Sequence, residues 1–390
     1  MNSEELKRTN VDAPVLFSRA VEASGWRILI LVLVTAAIWI AFQFWTGVFI
    51  SPRNLSNLAV QMSITALLTS GLTWLLVARE IDLSVGSLQA AAAVTTFQLM
   101  VTYNWGVWES IAVVVIAGML VGLFQGALRV YLGIPSFIVT LAGFSWLRGV
   151  GYVLSGSETV AGAGDTFYEI GNGTLPAPIS LAIIAAVTVI GVFNWLRRYT
   201  AFLGPRNRVP RLLNYVLLVL GLGAAVLATW VFGSGGLPYP LLVVALVAFS
   251  MNYAAKNLSF GRYVYAVGGN PESARRAGIN VNAVVLILFV LMGTLTAVSA
   301  IIQSSRLDSA PPNLGLFIVM DAISASIIGG TSLFGGSGTV PGALIGALMM
   351  ASITNGLGLA GVNTFYQMII TGMLLLVAVG IDMTTRRKSR

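Results

Sequence analysis

Residues 260–281, FGRYVYAVGGNPESARRAGINV, form one of the most polar stretches of an otherwise apolar chain. Apolar runs of membrane-crossing length flank it, at about 239–255 and 284–303. Its centre has the residues of a complete short helix over 270–278. Asn270 suits the N-cap, because its side chain can accept from a free backbone N–H. Pro271 falls at the first helical position, where a missing N–H costs nothing. Glu272 sits in the first turn and Arg275 and Arg276 in the last, which matches the helix dipole. Gly278 can take the left-handed conformation that closes the helix. Two turns are marginal alone in water. Either this helix docks against another surface or it is a solvated loop with incidental caps, and its own residues leave both readings open.

The composition excludes several classes. The chain has 390 residues, of which 57% are hydrophobic and 9% charged, against about 25% charged in soluble proteins. It reads as an all-α integral membrane protein with no sizeable soluble domain. Cysteine and histidine are both absent. No disulfide framework, thiolate nucleophile, imidazole metal site or histidine relay is available, and no cofactor or metal site is expected. No GxxxxGK[ST] stretch is present, so the chain lacks a P-loop of its own. The net charge of +8 is a matter of topology and gives no reason to expect a nucleic-acid partner.

Apolar runs fall at about 28–46, 58–78, 84–102, 110–131, 136–154, 179–196, 213–232, 239–255, 284–303, 318–335, 340–359 and 364–381. They predict a multi-span bundle of about 10–12 transmembrane helices. The organisation expected is a polar tail over 1–27, a membrane domain over 28–385 that contains the polar loop 256–283, and a tail over 386–390. With the N-terminus in the cytoplasm, 19 of the 22 Lys and Arg fall on the cytoplasmic side, and only Arg53, Arg148 and Arg306 do not. That asymmetry predicts both termini inside. Segment 318–335 is short and broken by glycine. It is kept as a span, either one helix or two half-helices, because otherwise Arg386, Arg387 and Lys388 would face outside. Segments 179–232 form a hairpin whose loop carries Arg197, Arg198, Arg206, Arg208 and Arg211. These arginines either set topology or touch anionic lipid, at roughly 1 kcal/mol each.

Polar residues inside apolar sequence are the candidates for a path or a gate. Glu80 and Asp82, in REIDLSVGS at 79–87, are expensive beside a membrane unless paired or capping. Asp82 or Ser84 can cap the next helix, and Arg79 can neutralise one acid. Capping and a gate are the two readings. In PSFIVTLAG, 135–143, Pro135 opens a span, and Phe137 and Thr140 lie on a face that either packs helices or lines a path. Asp321 precedes IGGTSLFGGSG at 328–338, and glycine breaks of this kind are tolerated in membranes where they line cavities. Gln61, Gln89, Gln303 and Asn355 can bond a ligand's hydroxyls or neighbouring helices. Gly118, Gly122 and Gly126 make a small-residue ridge for helix packing, within the chain or between subunits. Gly356 to Gly361 match GxGxxG but end a span and follow no strand, which is the wrong setting for a dinucleotide.

Four stretches together, 80–87, 135–143, 260–279 and 328–338, resemble the permeases of ABC sugar importers of the ribose/xylose class. The likeness runs from about residue 27 to 387. The hairpin at 179–232 is similar to that of xylose-type members, and ribose-type members lack it. The resemblance implies an ABC importer permease fold, a homodimer, an ATP-binding ABC subunit docked on Asn270, Pro271, Glu272, Arg275, Arg276 and Gly278, and a periplasmic binding protein that delivers a monosaccharide. It implies a bacterial inner-membrane location and no catalytic residues in this chain. Arg276-Ala277 stands where the family pattern has Leu-Ser, so the docking contacts need not be the family's. The rival readings are an ion-coupled secondary sugar transporter, which needs an embedded carboxylate relay, and a membrane enzyme, which needs a convergent set of reactive groups.

Overall fold

The computed structural model describes residues 13–201 and 209–387. The expectations for residues 1–12, Arg206, Arg208 and residues 388–390 lie outside that range. In chain order the helices are α1 (Ala13–Thr46), α2 (Pro52–Val77), α3 (Val85–Phe97), α4 (Val107–Tyr131), α5 (Ser136–Ser155), α6 (Asp165–Asn172), α7 (Ala177–Ala201), α8 (Val209–Gly235), α9 (Tyr239–Asn257), α10 (Ser259–Gly269), α11 (Pro271–Arg276), α12 (Val281–Leu307), α13 (Ile318–Ile328), α14 (Val340–Leu359) and α15 (Thr364–Arg387). Gln98–Thr102 prolongs α3 as a wider π turn. Two short strands, β1 (Val160–Ala161) and β2 (Ser309–Ala310), pair antiparallel with Val160 opposite Ala310. Among the described residues, ten helices are long and apolar enough to cross a bilayer. The chain is a multi-pass, all-α membrane protein.

The segment expected to span at 318–335 does not do so as a helix. Only α13, with 11 residues, is helical, and at 1.5 Å per residue it covers about 16 Å of a bilayer core of about 30 Å. Gly330, Gly335 and Gly336 beyond it all have positive φ, which stops a right-handed helix. There is one half-helix here, followed by a loop.

Two compact units are present. One contains α1 up to Ala37 and Pro176–Gly236, where α7 and α8 pack against each other. The other contains Ile38–Leu175 and the chain from Leu237 onward.

In the larger unit α2 is the central post, buried over most of its length. Its apolar residues from Ile64 to Val77 form one core with α9, α10, α12, α13 and α14. Helix α4 buries one stripe, including Val114, Gly118, Gly122 and Gly126, and leaves Ile116, Leu120, Leu123 and Phe124 exposed. An exposed apolar face is what lipid demands of a peripheral helix. The glycine ridge on α4 is intramolecular. A Cβ on Gly122 would overlap the Phe289 carbonyl oxygen of α12, and one on Gly293 would overlap that of Gly118. The alternative that this ridge joins two subunits is therefore set aside, because α12 already occupies it.

Candidate functional site

The start of α2 supplies one wall of a cavity. Asn54, Asn57, Gln61 and Thr65 follow at spacings of three and four residues, so they share one face of the helix. Gln89 of α3, Gln303 and Arg306 of α12, Asn313 and Leu314 in the α12–α13 connection, Asp321 of α13, and Thr354 and Asn355 of α14 complete it. The space measures about 690 Å³, within the range of small-molecule sites. Ile64, Leu316, Phe317 and Ile318 add apolar surface.

The cavity's polar groups are held from behind. Asn54 Nδ2 donates to Asn355 Oδ1 at 2.9 Å and to the Phe49 carbonyl at 2.8 Å. Gln89 Nε2 donates to Ser299 Oγ at 3.0 Å, while its Oε1 has no partner among the described residues. One carboxylate oxygen of Asp321 is buried and also has no partner among the described residues. Arg148 of α5 donates to the carbonyls of Pro312 and Leu314 at 2.9 and 3.0 Å, which fixes the 311–317 segment over the cavity. Carboxamides offer both donors and acceptors, so this lining can serve each hydroxyl of a neutral polyol in either sense. Asp321 and Arg306 contribute one acidic and one basic side chain. Among the described residues, no group of three or more acidic side chains could hold a metal.

Of the candidates read from sequence, Gln303, Asp321 and Asn355 line this cavity, as do Gln61 and Gln89. Glu80, Asp82, Ser84, Phe137 and Thr140 do not. Glu80 and Asp82 follow the far end of α2, and Thr140 bonds the Ile81 carbonyl between them at 3.3 Å. Glu80 is paired with Arg129 of α4, at 2.9–3.0 Å from three atom pairs. The expected partner, Arg79, donates instead to the carbonyls of Gly268 and Gly269 at 2.7 and 2.5 Å. The cause is backbone conformation. Arg79 takes a left-handed φ of 67°, and its side chain reaches α10 while that of Glu80 reaches α4. Asp82 Oδ1 accepts from the backbone and hydroxyl of Ser84 at 2.8 and 2.6 Å. Ser84 precedes α3 but its side chain makes no capping bond to it. It accepts a bond from Gln125 instead, at 3.0 Å. Burial pushes the Asp82 carboxyl above its ordinary range, against the two bonds from Ser84. Thr140 Oγ1 donates to Ser136 O at 2.9 Å, and Ser136 Oγ accepts from Ile81 N at 3.3 Å. Phe137 is exposed and does not line the cavity.

The short helix near residue 271 is built from its caps. Asn270 Oδ1 accepts from Glu272 N and Ser273 N, both at 3.0 Å. Pro271 opens the helix, Arg275 and Arg276 end it, and Gly278 has φ 83°. Glu272 is ion-paired with Arg276, one turn on. Arg275 is exposed and makes no ion pair among the described residues. Ala274 is buried and holds the helix against its neighbours.

The glycine stretch 328–338 does not line the cavity. It folds back so that Gly336 N donates to the Val77 carbonyl at 2.8 Å, and Tyr265 Oη donates to the Gly338 carbonyl at 2.7 Å. Sequence reasoning missed Asn54, Asn57, Thr65, Arg306, Asn313 and Thr354. The three- and four-residue spacing of Asn54 and Asn57 with Gln61 in an apolar helix was an available signal for the first two.

Residues 54–379 match the family described as branched-chain amino acid transport system / permease component. The chain is 37% identical over 372 residues to the xylose transport system permease protein of Escherichia coli (strain K12), covering 92% of this chain and 93% of the relative. Against the xylose transport system permease protein of Haemophilus influenzae the identity is 37% over 371 residues, covering 93% and 97%. Against the ribose import permease protein of the same organism it is 31% over 338 residues, covering 86% of each. No solved structure matches.

Proposed function

The chain belongs to the family of branched-chain amino acid transport system / permease components, among its sugar permeases, and on that premise we propose that it is the membrane-spanning subunit of an ATP-driven importer of a pentose, D-xylose or a close relative. One observation carries the reading: the carboxamide-lined cavity of about 690 Å³ at the start of α2. It suits a neutral sugar because each amide can donate to one hydroxyl and accept from another, and its apolar residues can face the ring's C–H groups.

In this reading ATP is hydrolysed by a partner subunit docked on 270–278, a periplasmic binding protein delivers the sugar, and two copies of the chain form the permease. The bias of the basic residues in the sequence supports a cytoplasmic position for 270–278 and both termini, in a bacterial inner membrane. Glu80, Asp82 and Ser84, with Thr140, form a gate support on that side and take no part in binding.

A second reading is ion-coupled transport. It is favoured by the unpartnered, buried carboxylate oxygen of Asp321 at the cavity wall, since embedded carboxylates serve proton relays. Pentose uptake by cells that express the chain with its transport partners separates the two. ATP-driven import stops on ATP depletion and survives a protonophore while ATP is maintained. The reverse pattern identifies the ion-coupled mechanism.

A further inference from the structure

Three stretches far apart in sequence meet past the far end of α2. Arg79, just beyond that end, donates to the carbonyls of Gly268 and Gly269 at the close of α10. Gly336, in the loop between α13 and α14, donates to the carbonyl of Val77, the last residue of α2. Tyr265 of α10 donates to Gly338 in that same loop. One contact, Gly336 N to the Val77 carbonyl, is backbone to backbone, and the others are made by the Arg79 and Tyr265 side chains to backbone carbonyls. A Cβ on Gly268 would overlap the Val77 oxygen, and one on Gly335 would overlap the Arg79 side chain. Gly335 and Gly336 have φ of 83° and 73°, values that an L side chain adopts only with strain.

The elements joined here are a specific set. Helix α10 leads directly into the capped helix α11 through Asn270. Helix α2 carries Asn54, Asn57, Gln61 and Thr65 of the cavity; α13 carries Asp321; α14 carries Thr354 and Asn355. The joint thus ties the segment before α11 to the ends of three helices that line the cavity. Packed, close-contact glycine surfaces move as bodies and do not deform continuously.

We propose that the joint made by Arg79, Gly268 and Gly336 is the mechanical link through which a displacement of α11 moves the cavity walls, with Arg79 as its positioning residue. This rests on the reading of 270–278 as the docking element for the ATPase subunit. Arg79 suits the role because one guanidinium fork holds two successive carbonyls at the helix end, so α2 and α10 must move together. Lys can hold one of them as a point charge, and Met none.

The test uses the complete complex, with its ATPase and binding protein, reconstituted in proteoliposomes. Arg79→Met, Arg79→Lys and Tyr265→Phe are compared with the unaltered chain. Three quantities are read: ATPase retained on the permease, stimulation of ATP hydrolysis by D-xylose-loaded binding protein, and D-xylose imported per ATP hydrolysed. The proposal expects Arg79→Met to keep the ATPase bound while import per ATP falls about tenfold and stimulation disappears, and Arg79→Lys to recover part of both. Tyr265→Phe removes one bond of the joint and leaves the ring in place, so it reads the same coupling if Arg79→Met does not assemble. It should lower import per ATP by about two- to fivefold. Unaltered import per ATP in an assembled Arg79→Met complex overturns the proposal, as does an unaltered value in Tyr265→Phe if Arg79→Met fails to assemble. Site-specific cross-linking from Ser273→Cys that never captures the ATPase defeats the docking reading itself, and the two failures are thereby told apart.

Discussion

Arg129→Met should destabilise the chain, and Glu80→Gln in the same chain should restore much of the loss. The Glu80 side chain is 5% exposed and that of Arg129 is 36% exposed, with the guanidinium 2.9 Å from the carboxylate. Removing one partner of a buried pair leaves an uncompensated charge and costs about 3–5 kcal/mol. Arg129 sits at the edge, where solvent reaches the pair, so a cost just below that range, about 2–3 kcal/mol, is expected. Most of this is the penalty on Glu80, because Met replaces the stem of Arg129 and loses little packing. Glu80→Gln removes the charge that causes the penalty. The double variant should therefore melt above Arg129→Met alone. Arg79→Met added to Arg129→Met should give no such recovery, because Arg79 bonds Gly268 and Gly269 and has no contact with the acid that would be relieved. Thermal unfolding of the purified chain in detergent reads the order of the four proteins. A double variant less stable than Arg129→Met would refute the pair. Recovery by Arg79→Met would refute the assignment of the two arginines.

Three further outcomes are expected. Asp82→Asn should reduce pentose uptake without abolishing it, because burial already favours the neutral carboxyl and Asn retains an oxygen for Ser84; complete loss in an assembled complex would show that the charge itself is used. Gly293→Leu should abolish recovery of monodisperse protein, since its side chain meets the backbone of Gly118 and Gly122 on α4, and the cost exceeds the about 1–3 kcal/mol of an ordinary overpacked core; normal yield and melting would contradict the α4–α12 packing. Glu272→Ala with Arg275→Ala should weaken ATPase pull-down or sever hydrolysis from uptake while expression stays normal, and wild-type values in both assays would move the docking site to another loop.

What the sequence made legible was local. Helix α11 follows from Asn270, Pro271, Glu272, Arg276 and Gly278, because capping acts within a few residues. The long spans follow from apolar runs that only a bilayer can accommodate. The pairing of Glu80 was not legible, because Arg79 is its neighbour in sequence whereas Arg129 is 49 residues away. A left-handed turn at Arg79, which no propensity favours, decides between them. The place of residues 328–338 was misread for a related reason. Glycines mark close backbone approach, but their pattern does not say to what. Here the approach is to Val77 and Gly268, and the cavity is formed elsewhere. The amide stripe at Asn54, Asn57 and Gln61 was readable in principle. Its convergence with Gln303 and Asn355 depends on how α2, α12 and α14 pack.

In the proposed function, sugar passes through the carboxamide cavity at the start of α2, powered by ATP. Gln303→Leu keeps size and apolar packing while removing a hydrogen-bonding amide from the wall, and it lies far from Arg79 and α11 in the sequence of contacts. The decisive measurement is ATP-dependent uptake of labelled D-xylose by proteoliposomes that contain this variant with its ATPase and binding protein. The account predicts intact assembly, unaltered basal ATP hydrolysis, and uptake at subsaturating sugar lowered about tenfold. Uptake equal to that of the unaltered chain would contradict it.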